Sequence, residues 1–259
     1  MYRALMLCNF KRQFNYRASL YMDILGSVIR VYIQVCIWNA LLQLGVSVEQ
    51  TIEQLVTYTV VAFLIDQITY NNVAQVLAQK VREGSIAIDL IRPVSLKWYL
   101  FYQQFSENFF KLIFVGIPVV VVALMLWNIY VSNLYSFLLG IISLLLTISL
   151  SFLFQYSVGL LVFWLKDVTY TKLITVGVVE LFSGSLIPLW FYPDGFREIC
   201  NVLPFRFMVF EPISIFLGTY DIENCIRILV TQCIWVMVFN KISTIIWRKI
   251  QKNIAVQGG

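Results

Sequence analysis

Long apolar runs separated by short polar segments dominate the chain, at 20–44, 55–77, 100–127, 134–164, 173–189 and 226–247. Each is close to the roughly 20 residues a helix needs to cross about 30 Å of hydrocarbon. The runs are continuous rather than alternating, which predicts helices and not the strands of a barrel. The fourth run is long for one crossing, so it predicts either one tilted helix or two short ones. Pro118 predicts a kink in the third. The second run differs from the rest, because it carries Thr57, Thr59, Asp66, Gln67, Thr69, Asn71, Asn72 and Gln75. A helix with that content faces protein or water rather than lipid.

The charges between the runs test this map. With the N-terminus inside, the inner segments hold Arg3, Lys11, Arg12, Arg17, Lys80, Arg82, Arg92, Lys97, Lys166, Lys172, Arg248, Lys249 and Lys252. The first two outer segments hold no Lys or Arg, and the third holds Arg197 and Arg206, with Arg227 at its edge. Such asymmetry sets orientation in a membrane and places both termini in the cytoplasm. Splitting the fourth run in two would put the basic C-terminal end outside, so charge favours a single tilted span. Residues 1–18 mix Arg3, Lys11, Arg12 and Arg17 with Leu5, Leu7, Phe10 and Phe14, without the small-residue cleavage site of a signal peptide. Two readings stand for them: an amphipathic helix on the membrane surface, or a charged flank that orients the first span.

Composition agrees and removes several chemistries. Sixty per cent of the residues are apolar, 13% are charged, and the mean hydropathy is +0.80, against about 25% charged residues in a soluble domain. There is no histidine, which excludes His catalysis and His metal ligands. Cys8, Cys36, Cys200, Cys225 and Cys233 form no C-x-x-C pair, so no zinc site is expected. Cys200 and Cys225 fall near the same outer surface, where either a disulfide or two buried thiols fit. The net charge of +5 follows from the positive-inside pattern and does not point to nucleic acid.

Three segments hold candidate functional residues. The first, 79–97, joins the second and third runs on the inner side. Gly84 interrupts helix, Ser85 suits the start of a new one, and Pro93 stops it by pushing Arg92 toward an extended conformation. A short helix with apolar and charged faces results, suited either to a groove on a soluble partner or to lipid headgroups. The second, 191–224 with the preceding end of the fifth run, is broken by Pro188, Pro193, Pro204 and Pro212. Its apolar piece 203–217 is too short to cross, which suggests a re-entrant or interfacial outer element, either capping a pathway or anchoring the fold. The third is the set of ionisable residues at membrane depth: Asp23, Arg30, Asp66, Glu107, Lys111 and Glu180. Asp23 and Arg30 share a helix face, and Glu107 with Lys111 forms a favourable i,i+4 pair. Asp66 and Glu180 are candidates for lining a wet cavity, or for buried structural pairing.

In order and spacing these segments resemble the ABC-2 class of ATP-binding-cassette permeases, in particular the small bacterial ones. The resemblance is carried by REGSIAIDLIRPVS beginning at Arg82, and by SGSLIPL beginning at Ser183 with Phe191 and Pro193. Leu203, Pro204, Phe205, Pro212 and Gly218 extend it. It implies an all-α integral membrane fold: an N-terminal interfacial helix, six spans, a cytoplasmic coupling helix between spans two and three, and re-entrant outer helices between spans five and six. It assigns Arg82, Glu83, Gly84, Ser85, Ile88, Asp89, Leu90, Arg92 and Pro93 to the contact with an ATPase. It makes Ser183, Gly184, Pro188, Phe191 and Pro193 candidates for an outer gate, and Asp66, Asn71, Asn72 and Glu180 candidates for the substrate pathway. It implies two ATPase chains, a second permease chain, identical or homologous, and a place in the bacterial cytoplasmic membrane. ATP and Mg would bind the partner, since this chain has no G-x-x-x-x-G-K-[ST] loop and no glycine followed by lysine.

Three other classes compete: a secondary transporter or channel, a membrane enzyme, and a passive anchoring subunit whose partner carries the pore. A secondary transporter would use Asp66 and Glu180 as proton or ion sites, yet the chain shows no pair of related halves. A membrane enzyme lacks a Ser-x-x-Lys or paired acidic motif here.

Overall fold

The computed structural model describes residues 2–14, 17–45, 50–69, 72–91, 94–130, 132–165 and 173–257. Among these every regular element is helical. Four helices among the described residues are long and apolar enough to cross a membrane: Ala18–Gln43, Leu96–Leu126, Leu134–Trp164 and Ile222–Gln251. The chain is an all-α membrane protein.

Helix α1 (Tyr2–Gln13) packs on the third run, with Phe10 and Phe14 edge-on to Phe110 at centroid distances of 5.2 and 5.0 Å. The Ser106 hydroxyl donates to the Met6 carbonyl at 2.8 Å. Helix α2 (Arg17–Gln43) is the first long crossing. It leaves Tyr21, Met22, Leu25, Ile29, Ile33 and Ile37 exposed, as a surface facing lipid or another membrane chain should.

The second run is not one helix. Helix α3 (Ile52–Thr69) ends before α4 (Val73–Arg82), and Asn72 between them has φ −111° and ψ 17°. Side chains of a neighbouring helix serve the interrupted backbone: Asn108 Nδ2 donates to the Ile68 carbonyl at 2.7 Å, and Gln104 Oε1 accepts from the Asn72 N–H at 3.4 Å. Broken backbone at membrane depth persists only when such groups are satisfied. Helix α5 (Ile86–Ile91) follows.

Helix α6 (Leu96–Lys111) starts four residues earlier than the sequence suggests, because Ser95 caps it by accepting from the Trp98 N–H. A π-helical turn, Leu112–Gly116, joins it to α7 (Ile117–Leu126). Pro118 lacks an N–H, and its ring crowds the carbonyl four residues back. The wider turn just upstream absorbs that conflict.

Helix α8 (Leu134–Leu165) is unbroken over 32 residues. At 1.5 Å per residue it is about 48 Å long, more than one bilayer core requires. It is the central strut, packed against α4, against α11 (Phe210–Phe216) and against α12 (Ile222–Gln257). Gly159 permits the α4 contact: a Cβ there would sit 2.8 Å from Ala74 Cα.

The fifth run departs furthest from expectation. Its described part is a π-helical turn, Leu173–Val178, and the five-residue α9 (Val179–Ser183), which Gly184 ends with φ +81°. Beyond it lie a 3₁₀ turn at Leu189–Phe191, α10 (Asp194–Val202), another at Pro204–Met208, and α11. The main core cluster joins these pieces to α3 and α8 through Tyr58, Ile65, Leu150, Phe154, Leu189, Met208 and Ile213.

Candidate coupling surface and transmembrane pathway

Segment 79–97 folds back on itself. Gly84 adopts φ +73°, a left-handed conformation that glycine takes without a Cβ penalty, and this turns α5 back against α4. Ser85 does not cap α5 with its side chain as expected: its hydroxyl donates back to the Lys80 carbonyl at 3.5 Å. The Asp89 carboxylate ion-pairs with Lys80, whose ammonium also lies 5.3 Å from the Tyr99 ring centre. Ile86 is buried in the cluster of Leu77, Leu96 and Leu100. Asp89, assigned by resemblance to an intermolecular contact, is thus buried and paired within the chain. The outward residues are Arg82, Glu83, Gly84, Ala87 and Ile88, with Ile88 62% exposed. Gln79 Nε2 donates to Glu83 at 2.7 Å and steadies the rim. Arg92, Pro93 and the Leu90 side chain lie outside the described residues.

The charges expected at membrane depth form a second cluster. Arg30 pairs with Asp66 across helices at 3.1 Å, rather than with Asp23, which shares its helix face. Glu107 accepts from Gln103 Nε2 at 3.5 Å. Asp66 borders two cavities. One, of about 30 Å³, is lined by Arg30, Gln34, Trp38, Tyr58 and Ser185 among others. The other, of about 80 Å³, is lined by Thr69, Ser151, Gln155, Glu180 and Ser183. The two expected pathway carboxylates therefore share one cavity large enough for water. Gln155 Oε1 is buried there with no hydrogen-bond partner among the described residues. Asn72 does not line this cavity, and Asn71 lies outside the described residues.

Two of the residues expected at an outer gate, Gly184 and Phe191, are tied to α2 and α3. Tyr58 Oη donates to the Gly184 carbonyl at 2.7 Å, and Gln34 Nε2 to the Leu186 carbonyl at 3.1 Å. Phe191 stacks on Trp38 at 5.1 Å, while Trp38 Nε1 donates to Thr59 at 2.9 Å. Ser183 is buried, with its hydroxyl accepting from the Ser185 N–H at 3.3 Å. Pro188 and Pro193 stand immediately before the 3₁₀ turn and α10.

Sequence reasoning missed an ion pair between Arg206 and the buried Glu211, with Asn201 as a further partner of Arg206. Two opposite charges five residues apart in an apolar piece are the signal that was there to find. Cys200 and Cys225 are both buried and unbonded, so the disulfide reading is set aside. Burial raises the pKa of the Cys200 thiol.

The family model of ABC-2 family transporter proteins matches residues 28–258. The chain belongs to that family: it is a membrane transport component of the ABC-2 permease type, and membership implies association with an ABC ATPase subunit. No curated protein matches the chain.

Proposed function

We propose that the chain is half of the membrane pore of an ATP-driven exporter, and that α5 is the helix through which an ATPase drives it. The observation that carries this reading is the division of labour in α5. Ile86 and Asp89 anchor it to α4 and α6, while Ala87 and Ile88, rimmed by Arg82 and Glu83, form a small outward apolar face. A short helix anchored that way transmits a push rather than bending under it. Two ATPase chains, carrying ATP and Mg, would close on ATP and move the α5 helices of two permease chains as rigid bodies.

The pathway would run past the Asp66 and Glu180 cavity. Arg30, whose side chain is 53% exposed, and the exposed Glu180 are unsuited to lipid. They fit a water-filled route closed by a second permease chain, identical or homologous. The six-span layout, with α3–α4 and the fifth run crossing in pieces, cytoplasmic termini and outer re-entrant helices, belongs to the same proposal. Its support is the charge asymmetry and the family. The substrate class is an amphipathic molecule, a peptide, lipid or drug, moved out of the cytoplasm.

The test is purification of the tagged chain from its native membrane in mild detergent, with mass spectrometry of its partners. Recovery of a soluble ATPase carrying the phosphate-binding loop is expected. A chain recovered alone, with uncoupler-sensitive transport, would replace this reading with an ion-coupled transporter centred on Asp66 and Glu180, the two carboxylates on one cavity.

A further inference from the structure

A cavity of about 240 Å³ lies where the start of α6 meets α8 and the far part of α12, lined by Ser95, Lys97, Trp98, Tyr156, Thr244 and Trp247 among others. We propose that it binds the phosphate headgroup of an anionic phospholipid. The cavity has no carboxylate in its lining, and several of its donors are unspent. Lys97 donates to Asn240 Oδ1 at 2.5 Å and has no acidic partner among the described residues, so its ammonium keeps protons for a further acceptor. Tyr156 is 2% exposed, and its hydroxyl has no hydrogen bond among the described residues. The Ser95 hydroxyl accepts from the Trp98 N–H at 3.4 Å, which leaves its proton to give. The first turn of α6 adds the positive end of a helix dipole. Lys97, Ser95 and Tyr156 thus give a largely apolar cavity a cationic, hydrogen-bond-donating end, which suits an anionic headgroup carrying an apolar chain.

Its position selects a lipid over a free anion. Leu96 opens one membrane-crossing helix, and Trp247 stands near the end of another, so the cavity sits at headgroup depth. Trp98 is 50% exposed on its rim, with Phe101 and Tyr102 against it at 5.8 and 6.2 Å. Indoles settle at that depth, and a ring surface running from it into the bilayer suits an acyl chain. Lys241, Arg248 and Lys249 are exposed on the same part of α12 and add attraction for an anionic leaflet.

The test is native mass spectrometry of the purified full chain, with whatever partners it retains, against palmitoyl-oleoyl phosphatidylglycerol and its phosphatidylcholine counterpart. Wild type should retain phosphatidylglycerol roughly fivefold better, about the effect of one basic residue at the surface. Lys97→Gln should bring the two lipids to parity, Lys97→Arg should keep the preference, and Tyr156→Phe should weaken it while keeping the packed ring. Lys249→Gln, on the same helix outside the cavity, should change little. Equal retention by wild type overturns the proposal. So does a preference that survives Lys97→Gln and Tyr156→Phe but falls with Lys249→Gln, since that describes a diffuse basic surface. Inorganic phosphate is the third probe. If millimolar phosphate stabilises wild type and not Lys97→Gln while phosphatidylglycerol adds nothing, the cavity is a small-anion site and the lipid assignment is wrong.

Discussion

The guanidinium of Arg30 lies 3.1 Å from the Asp66 carboxylate and joins the first two long elements of the bundle beside the cavity that Glu180 also lines. Both partners are partly exposed, so their coupling should be modest, about 1 kcal/mol. Arg30→Gln leaves two carboxylates bordering one cavity without their cation. The double variant Arg30→Gln/Asp66→Asn should therefore be more stable than the sum of the single changes predicts. A thermal-unfolding cycle in detergent reads this directly, and strict additivity would show that the pair does nothing.

Asp89 and Ile88 are neighbours on α5 with opposite duties. Asp89 is buried against Lys80, and truncating one side of a buried pair strands the other charge. Asp89→Asn should cost about 3 kcal/mol. Ile88→Asp, at a 62% exposed position, should leave the unfolding temperature of the permease unchanged. Equal melting of Asp89→Asn and wild type would show that the ion pair does not hold α5.

Gly184 has φ +81°, and a Cβ there would meet Tyr58 Oη at 3.1 Å and Phe210 Cβ at 3.2 Å. Gly184→Ala should lose about 2 kcal/mol and loosen the Tyr58 bond. Gly195 has no neighbour within 4 Å and sits in the first turn of α10. Gly195→Ala should gain a few tenths to about 1 kcal/mol. The two unfolding temperatures should move in opposite directions, and a shared direction would refute the backbone assignment.

Thiol labelling separates the cysteines. Cys8 is exposed, whereas Cys200 and Cys225 are buried and unbonded. Burial raises the pKa of the Cys200 thiol, which reduces its thiolate fraction at neutral pH. N-Ethylmaleimide at pH 7 should modify Cys8 well before Cys200 in the folded protein. Fast modification of Cys200, or a bond between Cys200 and Cys225, would contradict the packing of α10.

How far the sequence foretold this depends on whether the deciding contact is local. The unbroken α8 was legible, because hydropathy and charge asymmetry both favoured one span. Pro118 announced a distortion, and the π turn upstream is its local consequence. The break near Asn72 was hidden, because the groups that satisfy it, Asn108 and Gln104, come from α6. Arg30 was grouped with Asp23 on one face, while its partner is on α3. That choice depends on the register between helices, which no spacing rule supplies. The Lys80–Asp89 pair needs the reversal at Gly84, so residues nine apart meet. The resemblance pointed to the segment but could not say which of its residues point inward.

The account turns on α5, and site-specific photo-crosslinking tests it most directly. A photoreactive amino acid would replace Ile88, and in a control Ile199, an exposed residue of α10. On irradiation of native membranes, the chain labelled at 88 should give an adduct with an ABC ATPase, and the chain labelled at 199 should give none. Absence of that adduct at 88, in membranes where the ATPase co-purifies with the permease, would contradict the assignment of α5 as the docking helix.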